Sequence, residues 1–228
     1  MKLIFIRHGD PCKDSFFISD KGILEVKLLK NFFATKKITE ILSATSIRGQ
    51  ETTKYFLKDT NNIPVKYYSW LNEFKHKIIL PNNKKQFPWE IPIDFWCNDK
   101  KVIKKIYETG NIKYHANKIW EEIDDFLSKK GYDREKNMYI VRKGNEECYI
   151  FITHFATLSV ILSHLLNIPL EIMLHVFWQA PSAYTTLVTE EMEKGKAIFR
   201  CIGYGETSHL VNHEELKSYY GLQNEVMK

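Results

Sequence analysis

Two histidines and an arginine occupy places where side-chain chemistry can be concentrated. Arg7-His8-Gly9 ends one short apolar run, and His154 follows another that closes at Thr153. An imidazole carries either a lone pair or a proton near neutral pH, so it can act as nucleophile, base or acid. The stretch Ser43-Ala44-Thr45-Ser46-Ile47-Arg48-Gly49-Gln50-Glu51-Thr52 puts Arg48 one turn into a helix, where the guanidinium fork can meet an anion. In open α/β sheets a ligand sits beyond the carboxyl ends of the strands, so residues at three such ends can converge on one pocket.

The elements that must hold these residues follow from the apolar spacing. Lys2 to Ile6 reads as a buried strand that breaks at Arg7-His8-Gly9-Asp10-Pro11. Ser19-Asp20 is a good helix start, and Ile23, Val26, Leu29 or Lys30, and Phe33 recur at helical spacing through Lys37. Strands are predicted over Glu40 to Ala44 and Val65 to Leu71, with a helix from Ile47 to Leu57 between them. From Asn72 to about Gly110 three prolines, Pro81, Pro88 and Pro92, interrupt a stretch of lysines and aromatics, which reads as an insertion forming a lid. The aromatics from Trp89 to Trp96 are expected to form a small satellite core.

Beyond the insertion the pattern predicts a helix from Ile112 to Lys130, then a hairpin-like pair of strands, Met138 to Arg142 and Cys148 to Thr153. An apolar helix, Leu158 to Leu166, and strands over Tyr184 to Thr189 and Ala197 to Tyr204 complete the chain. Alternating strands and helices indicate one α/β domain over residues 1–228. It is a three-layer sandwich with a mostly parallel central sheet flanked by helices, plus the insertion at about residues 72–110.

Composition removes several classes. With 228 residues, 44% hydrophobic and 14% aromatic, the chain is neither disordered nor fibrous. Its apolar runs are too short and too polar to cross a bilayer, and its first residues do not read as a signal peptide. The expectation is a cytoplasmic protein with no membrane partner. Cys12, Cys97, Cys148 and Cys201 lack any metal or redox spacing and are read as free thiols. A net charge of +5, spread along the chain, does not indicate nucleic-acid binding but suits a small anionic substrate.

Taken in order, Arg7-His8-Gly9, the Ser-x-x-x-x-Arg-x-x-x-Thr pattern around Arg48, Leu71-Asn72-Glu73 and His154 resemble the histidine phosphatase superfamily, also called phosphoglycerate-mutase-like. Ala180-Pro181-Ser182, Thr189-Glu190-Glu191 and Ser208-His209-Leu210 are similar to an uncharacterised bacterial subgroup of it. The resemblance implies a metal-independent phosphatase that needs no cofactor and hydrolyses a small phosphate monoester. His8 would be the nucleophile, forming a phosphohistidine with Nδ1–H held by a backbone carbonyl. Arg7, Arg48 and His154 would bind the phosphoryl oxygens, and Glu73 would be the proton donor and acceptor. The helix start after His154 would add backbone N–H groups. Two other readings are a phosphoglycerate-mutase-type phosphoryl transfer and a non-catalytic phospholigand-binding module.

Three departures qualify the match. Phe155-Ala156 stands where small residues are common, and no Asn follows the triplet at the expected distance. Asp10 replaces the usual Glu or Gln, so its carboxylate should turn outward or bond to backbone groups. His76, His115, His164, His175, His209 and His213 are read as structural.

Overall fold

The computed structural model describes residues 1–57, 63–97 and 99–222. Strand β1 (Lys2–Arg7) is followed by α1 (Asp20–Phe33), β2 (Glu40–Ala44), α2 (Ile47–Leu57) and β3 (Val65–Tyr68). The next segment holds a two-stranded ribbon, β4 (Ile78–Ile79) with β5 (Lys85–Gln86), then α3 (Ile93–Trp96) and α4 (Lys100–Thr109). After α5 (Ile112–Lys129) come β6 (Tyr132–Glu135), β7 (Met138–Val141) and β8 (Cys148–Thr153). Helices α6 (Phe155–Leu165) and α7 (Leu170–His175) precede the long hairpin of β9 (Tyr184–Glu193) and β10 (Lys196–Glu206).

Alternation within β1 sets the layers. Leu3 and Phe5 point to one side of the sheet and Ile4 and Ile6 to the other, and all four are buried. Ile4 and Ile6 pack with Val26, Leu29 and Phe33 of α1 and Phe56 of α2. Leu3 and Phe5 join the larger cluster supplied by α5, α6 and α7. A strand buried on both faces has no polar alternation, which is why β1 and β8 read as continuous apolar runs.

The main sheet has the order β3-β2-β8-β1-β9-β10-β7-β6. Its first four strands are parallel, and β9, β10, β7 and β6 extend it antiparallel. Arg7 pairs with Thr153 and Ser43 with Ile152, so β1, β8 and β2 reach their carboxyl ends side by side. His8, His154 and the turn before Arg48 therefore leave the sheet along one edge. Among the described residues, no helix is long and apolar enough to cross a membrane.

Several boundaries differ from the sequence expectation. The hairpin is β6 with β7, closed by the two residues between Glu135 and Met138, with Lys136 in the left-handed region at φ 53°. Cys148–Thr153 is instead buried along its whole length and lies between β2 and β1 in the sheet centre. Helix α6 starts three residues earlier than Leu158, because the His154 carbonyl accepts from Leu158 N and makes Phe155 the first helical residue. Helix α1 stops at Phe33 rather than Lys37, and Ser69–Leu71 turns into a 3₁₀ segment instead of continuing β3.

Within residues 72–110 the lysines at 100, 101, 104 and 105 lie on the outer face of a regular helix, α4. Its Ile103, Ile106 and Tyr107 are buried at helical spacing. Phe74, Ile78, Leu80 and Ile91 enter the same core, and Trp89, Phe95 and Trp96 pack against it. The aromatics thus extend the main core rather than forming a satellite one. Asn98 of this segment and residues 223–228 lie outside the described residues.

Candidate active site

The two histidines meet. Their ring centroids are 4.8 Å apart, because His8 N–H donates to the Thr153 carbonyl at 2.9 Å and continues the ladder between neighbouring strands. His8 Nδ1–H donates to the Gly9 carbonyl at 2.8 Å, which leaves the lone pair on Nε2. Burial pushes the His8 pKa well below 6.5, and His154, Arg7 and Arg48 add to the effect, so the ring is neutral.

The turn carrying His8 is clamped from three sides. Gly9 lies directly against α1: a Cβ at Gly22 would come within 2.4 Å of the Asp10 carbonyl oxygen, a contact only glycine permits. Gly9 N–H donates to Thr52 Oγ1 at 3.1 Å, and that hydroxyl donates to the Arg48 carbonyl at 2.7 Å. The Thr52 that closes the pattern around Arg48 is therefore the physical link between the two motifs. Ser43 Oγ, at the start of the pattern, donates to the Gly49 carbonyl at 3.2 Å. From the third side, Ser182 N–H is shared between the carbonyls of Arg7 and His8, at 3.1 and 3.0 Å, and Ser182 Oγ pairs with His209 Nε2 at 3.1 Å. Ser182 sits in the left-handed region at φ 57° to do this.

His154 is buried beside His8. Its Nε2 is 2.7 Å from Ser46 Oγ, and its Nδ1 is 3.8 Å from Glu73 Oε2. Burial lowers its pKa to about 3, helped by the charges of Arg48, Arg7 and Lys75. Glu73 is positioned by the 3₁₀ turn that ends at Leu71, whose carbonyl accepts from Thr153 Oγ1 at 2.7 Å. Glu73 Oε1 accepts from Ala156 N–H at 3.1 Å and Phe74 N–H at 3.2 Å. Burial raises its pKa against the opposing pull of Arg7 and these amides. The Ala156 amide, expected to face a bound anion, is thus occupied by the Glu73 carboxyl. Glu90 lines the same cavity, but its Oε2 accepts from Phe87 N–H at 3.1 Å and holds the local turn.

Arg7 is 4% exposed and is gripped by backbone carbonyls, with Nη1 2.6 Å from Gln179 O and 3.3 Å from Tyr220 O. Its guanidinium lies 5.5 Å from the Phe155 ring centroid and 5.8 Å from that of Tyr220. Burial lowers its pKa to about 10, which keeps it cationic at neutral pH. Arg7, His8, Arg48, Glu73 and Lys75 line one cavity of about 860 Å³, and Trp89, Phe155, Phe177, Trp178 and Tyr220 supply aromatic wall. A second cavity of about 770 Å³, between α4, α5 and the α6–α7 connection, shares none of these residues.

All five residues singled out in the sequence therefore come together: four line the cavity, and His154 packs against His8. Asp10 does turn from the cavity, but to hydroxyls rather than backbone: it accepts from Ser19 Oγ at 2.7 Å and from Ser218 Oγ. His175, read as structural, stacks on Trp96 at 3.9 Å and lines the cavity. His209 holds Ser182 on the His8 turn, whereas His76 stacks on His115 at 3.5 Å and His164 pairs with Asp124 at 2.7 Å away from the cavity. Sequence reasoning missed Ser46, Gln179 and Tyr220. Ser46 had a visible signal, a hydroxyl in the turn before Arg48, whereas Tyr220 is brought in by a return of the chain that no local pattern announces.

No family model matches the chain. An uncharacterised protein of Rickettsia prowazekii (strain Madrid E) is 32% identical over 59 residues, which is 26% of this chain and 50% of that protein. The chain thus spans about half the length of the curated relative it matches. A phosphoserine phosphatase of Entamoeba histolytica superposes with a TM-score of 0.61 at 15% identity, covering 92% of this chain and 99% of that one. A putative alpha-ribazole-5'-P phosphatase of Escherichia coli K-12 gives 0.59 at 16% identity over 91% and 98%. A mycobacterial glucosyl-3-phosphoglycerate phosphatase gives 0.59 at 12% identity over 90% and 98%. The fold of this chain is that of the histidine phosphatases.

Proposed function

We propose that the protein is a metal-independent phosphatase that hydrolyses a small phosphate monoester through a phosphohistidine at His8. The observation that carries this reading is the neutral His8 imidazole, whose Nε2 lone pair opens on a cavity shared with Arg7, Arg48 and Glu73. Nε2 attacks phosphorus, the P–N bond forms as the ester P–O bond breaks, and the Glu73 carboxyl gives its proton to the leaving oxygen. Water then attacks the phosphohistidine, Glu73 takes the water proton, and the P–N electron pair returns to Nε2 as phosphate leaves. Arg7 and Arg48 neutralise the equatorial oxygens throughout, as fixed cations already in place before the reaction. A raised Glu73 pKa suits a group that must be protonated in the first step and ionised in the second.

The fold's relatives are described as acting on alpha-ribazole-5'-P, phosphoserine and glucosyl-3-phosphoglycerate, which supports a small phosphorylated substrate here. Residues 72–110 serve as the lid in this reading, since Lys75, Trp89 and Glu90 reach the cavity from that segment. The four cysteines stand as free thiols, which supports the cytoplasmic location. The test is hydrolysis of an aryl phosphate by the wild type and by His8→Ala. Turnover should fall by at least about 10³-fold in a variant with an unchanged melting temperature. Undiminished turnover refutes the nucleophile, and a wild type without any phosphate release refutes the enzyme.

A further inference from the structure

We propose that Ser46 is a positioning residue whose hydroxyl donates to His154 Nε2 and so keeps the imidazole proton on Nδ1, the ring nitrogen that faces Glu73. The catalytic consequence rests on the phosphohistidine reading; the tautomer does not. Ser46 Oγ lies 2.7 Å from Nε2. The Gly49 amide donates to the same Oγ at 3.2 Å and takes one of its two lone pairs, and among the described residues the imidazole is the one acceptor within reach of the hydroxyl proton. The serine is itself anchored: its N–H donates to Asn72 Oδ1 at 2.8 Å, and Asn72 Nδ2 donates to Thr45 Oγ1 at 2.8 Å. Asn72 immediately precedes Glu73, so one amide side chain sets the spacing between the serine turn and the carboxyl.

At the other side of the ring, His154 Nδ1 is buried and has no hydrogen-bond partner within the described residues, and Glu73 Oε2 is 3.8 Å away. In the ionised state that Glu73 must reach to take the water proton, a lone pair there would face a carboxylate oxygen and be repelled, whereas an N–H is attracted to it. The arrangement leaves one unpaired donor on the side of the ring that faces Glu73, itself part of the cavity wall, as a partner for a phosphoryl oxygen bound there. Neutral His154 then acts as a directed hydrogen-bond donor, with its direction chosen by Ser46. A phosphate site needs donors, and with the opposite tautomer the ring would turn a lone pair to the anion.

The test uses protein labelled with ¹⁵N-histidine and long-range ¹H–¹⁵N correlation at neutral pH, with the His154 signals assigned by their loss in His154→Gln. In the wild type Nδ1 should appear protonated and Nε2 unprotonated. Ser46→Ala should move the ring toward a mixture of tautomers and lower kcat on an aryl phosphate about ten-fold, with KM within about two-fold. Ser46→Thr, which keeps the hydroxyl, should restore both. A wild-type ring carrying its proton on Nε2 overturns the proposal, as does a Ser46→Ala spectrum identical to the wild type. If Ser46→Ala does not fold, the wild-type spectrum alone decides. An inactive protein with the expected tautomer would overturn the phosphatase reading and leave the Ser46 assignment standing.

Discussion

Glu25 offers a quantitative test of how the His8 turn is held. It is fully buried in α1, and its Oε2 accepts from Asp10 N–H at 2.9 Å. Burial is the main cause that raises its pKa from 4.5 to about 8, and the nearby Asp10 carboxylate adds to it. The folded protein therefore keeps a proton on Glu25 that the unfolded chain releases at ordinary carboxylate pH. Between pH 4.5 and about 8 the unfolded state binds fewer protons, so this group's contribution to stability is complete below 4.5 and falls as pH rises. At about 1.4 kcal/mol per pH unit, the loss is on the order of 4–5 kcal/mol by pH 8 and then levels off. Glu25→Gln keeps an acceptor for the Asp10 amide and removes the titration. Urea unfolding of both proteins at pH 5.0, 6.5 and 8.0 should show a gap that widens by several kcal/mol in favour of the variant. Taking the difference cancels the histidines, which titrate alike in both proteins. Parallel pH dependences in the two proteins would refute the buried-carboxyl argument.

Asp10 links the same turn to the carboxyl-terminal segment through Ser19 and Ser218, so Asp10→Ala should cost about 1–3 kcal/mol of stability and speed tryptic cleavage after Lys217. An unchanged cleavage rate would show that the segment is held by its other contacts. Glu73 should govern the alkaline limb of kcat: its carboxyl loses the proton the leaving group needs as pH rises through its raised pKa. Glu73→Gln should flatten that limb while lowering kcat about 10²-fold, and a limb unchanged in the variant would reassign the proton to another group. His154, with its pKa lowered to about 3, should contribute no acid limb between pH 5 and 7.

Local patterns announced much of this molecule. β1 and β8 are buried on both faces and have no polar alternation, so their continuous apolar runs stood out, as did the histidines at their ends. Thr52 and Ser43 belong to a recognisable spacing because one helix turn must carry Arg48, bond to the Gly9 amide and close on β2. The pairing partner of Cys148–Thr153 was not legible, since any antiparallel neighbour satisfies a short apolar run and only the completed sheet selects β1 and β2. Helix α4 was hidden by its lysines, whose outward face dominates the composition while three buried side chains define the helix.

The chain alone determined which residues carry reactive groups and that strands deliver them to one edge, because periodicity and turn chemistry act over a few residues. Tertiary structure decided what those groups touch. That His154 meets Ser46, that the Ala156 amide serves Glu73, and that Tyr220 returns to Arg7 depend on contacts between residues 83 to 213 positions apart. Such contacts cost loop closure and backbone order, and the packed core on both faces of the sheet offsets that cost as a whole, so no single segment encodes them.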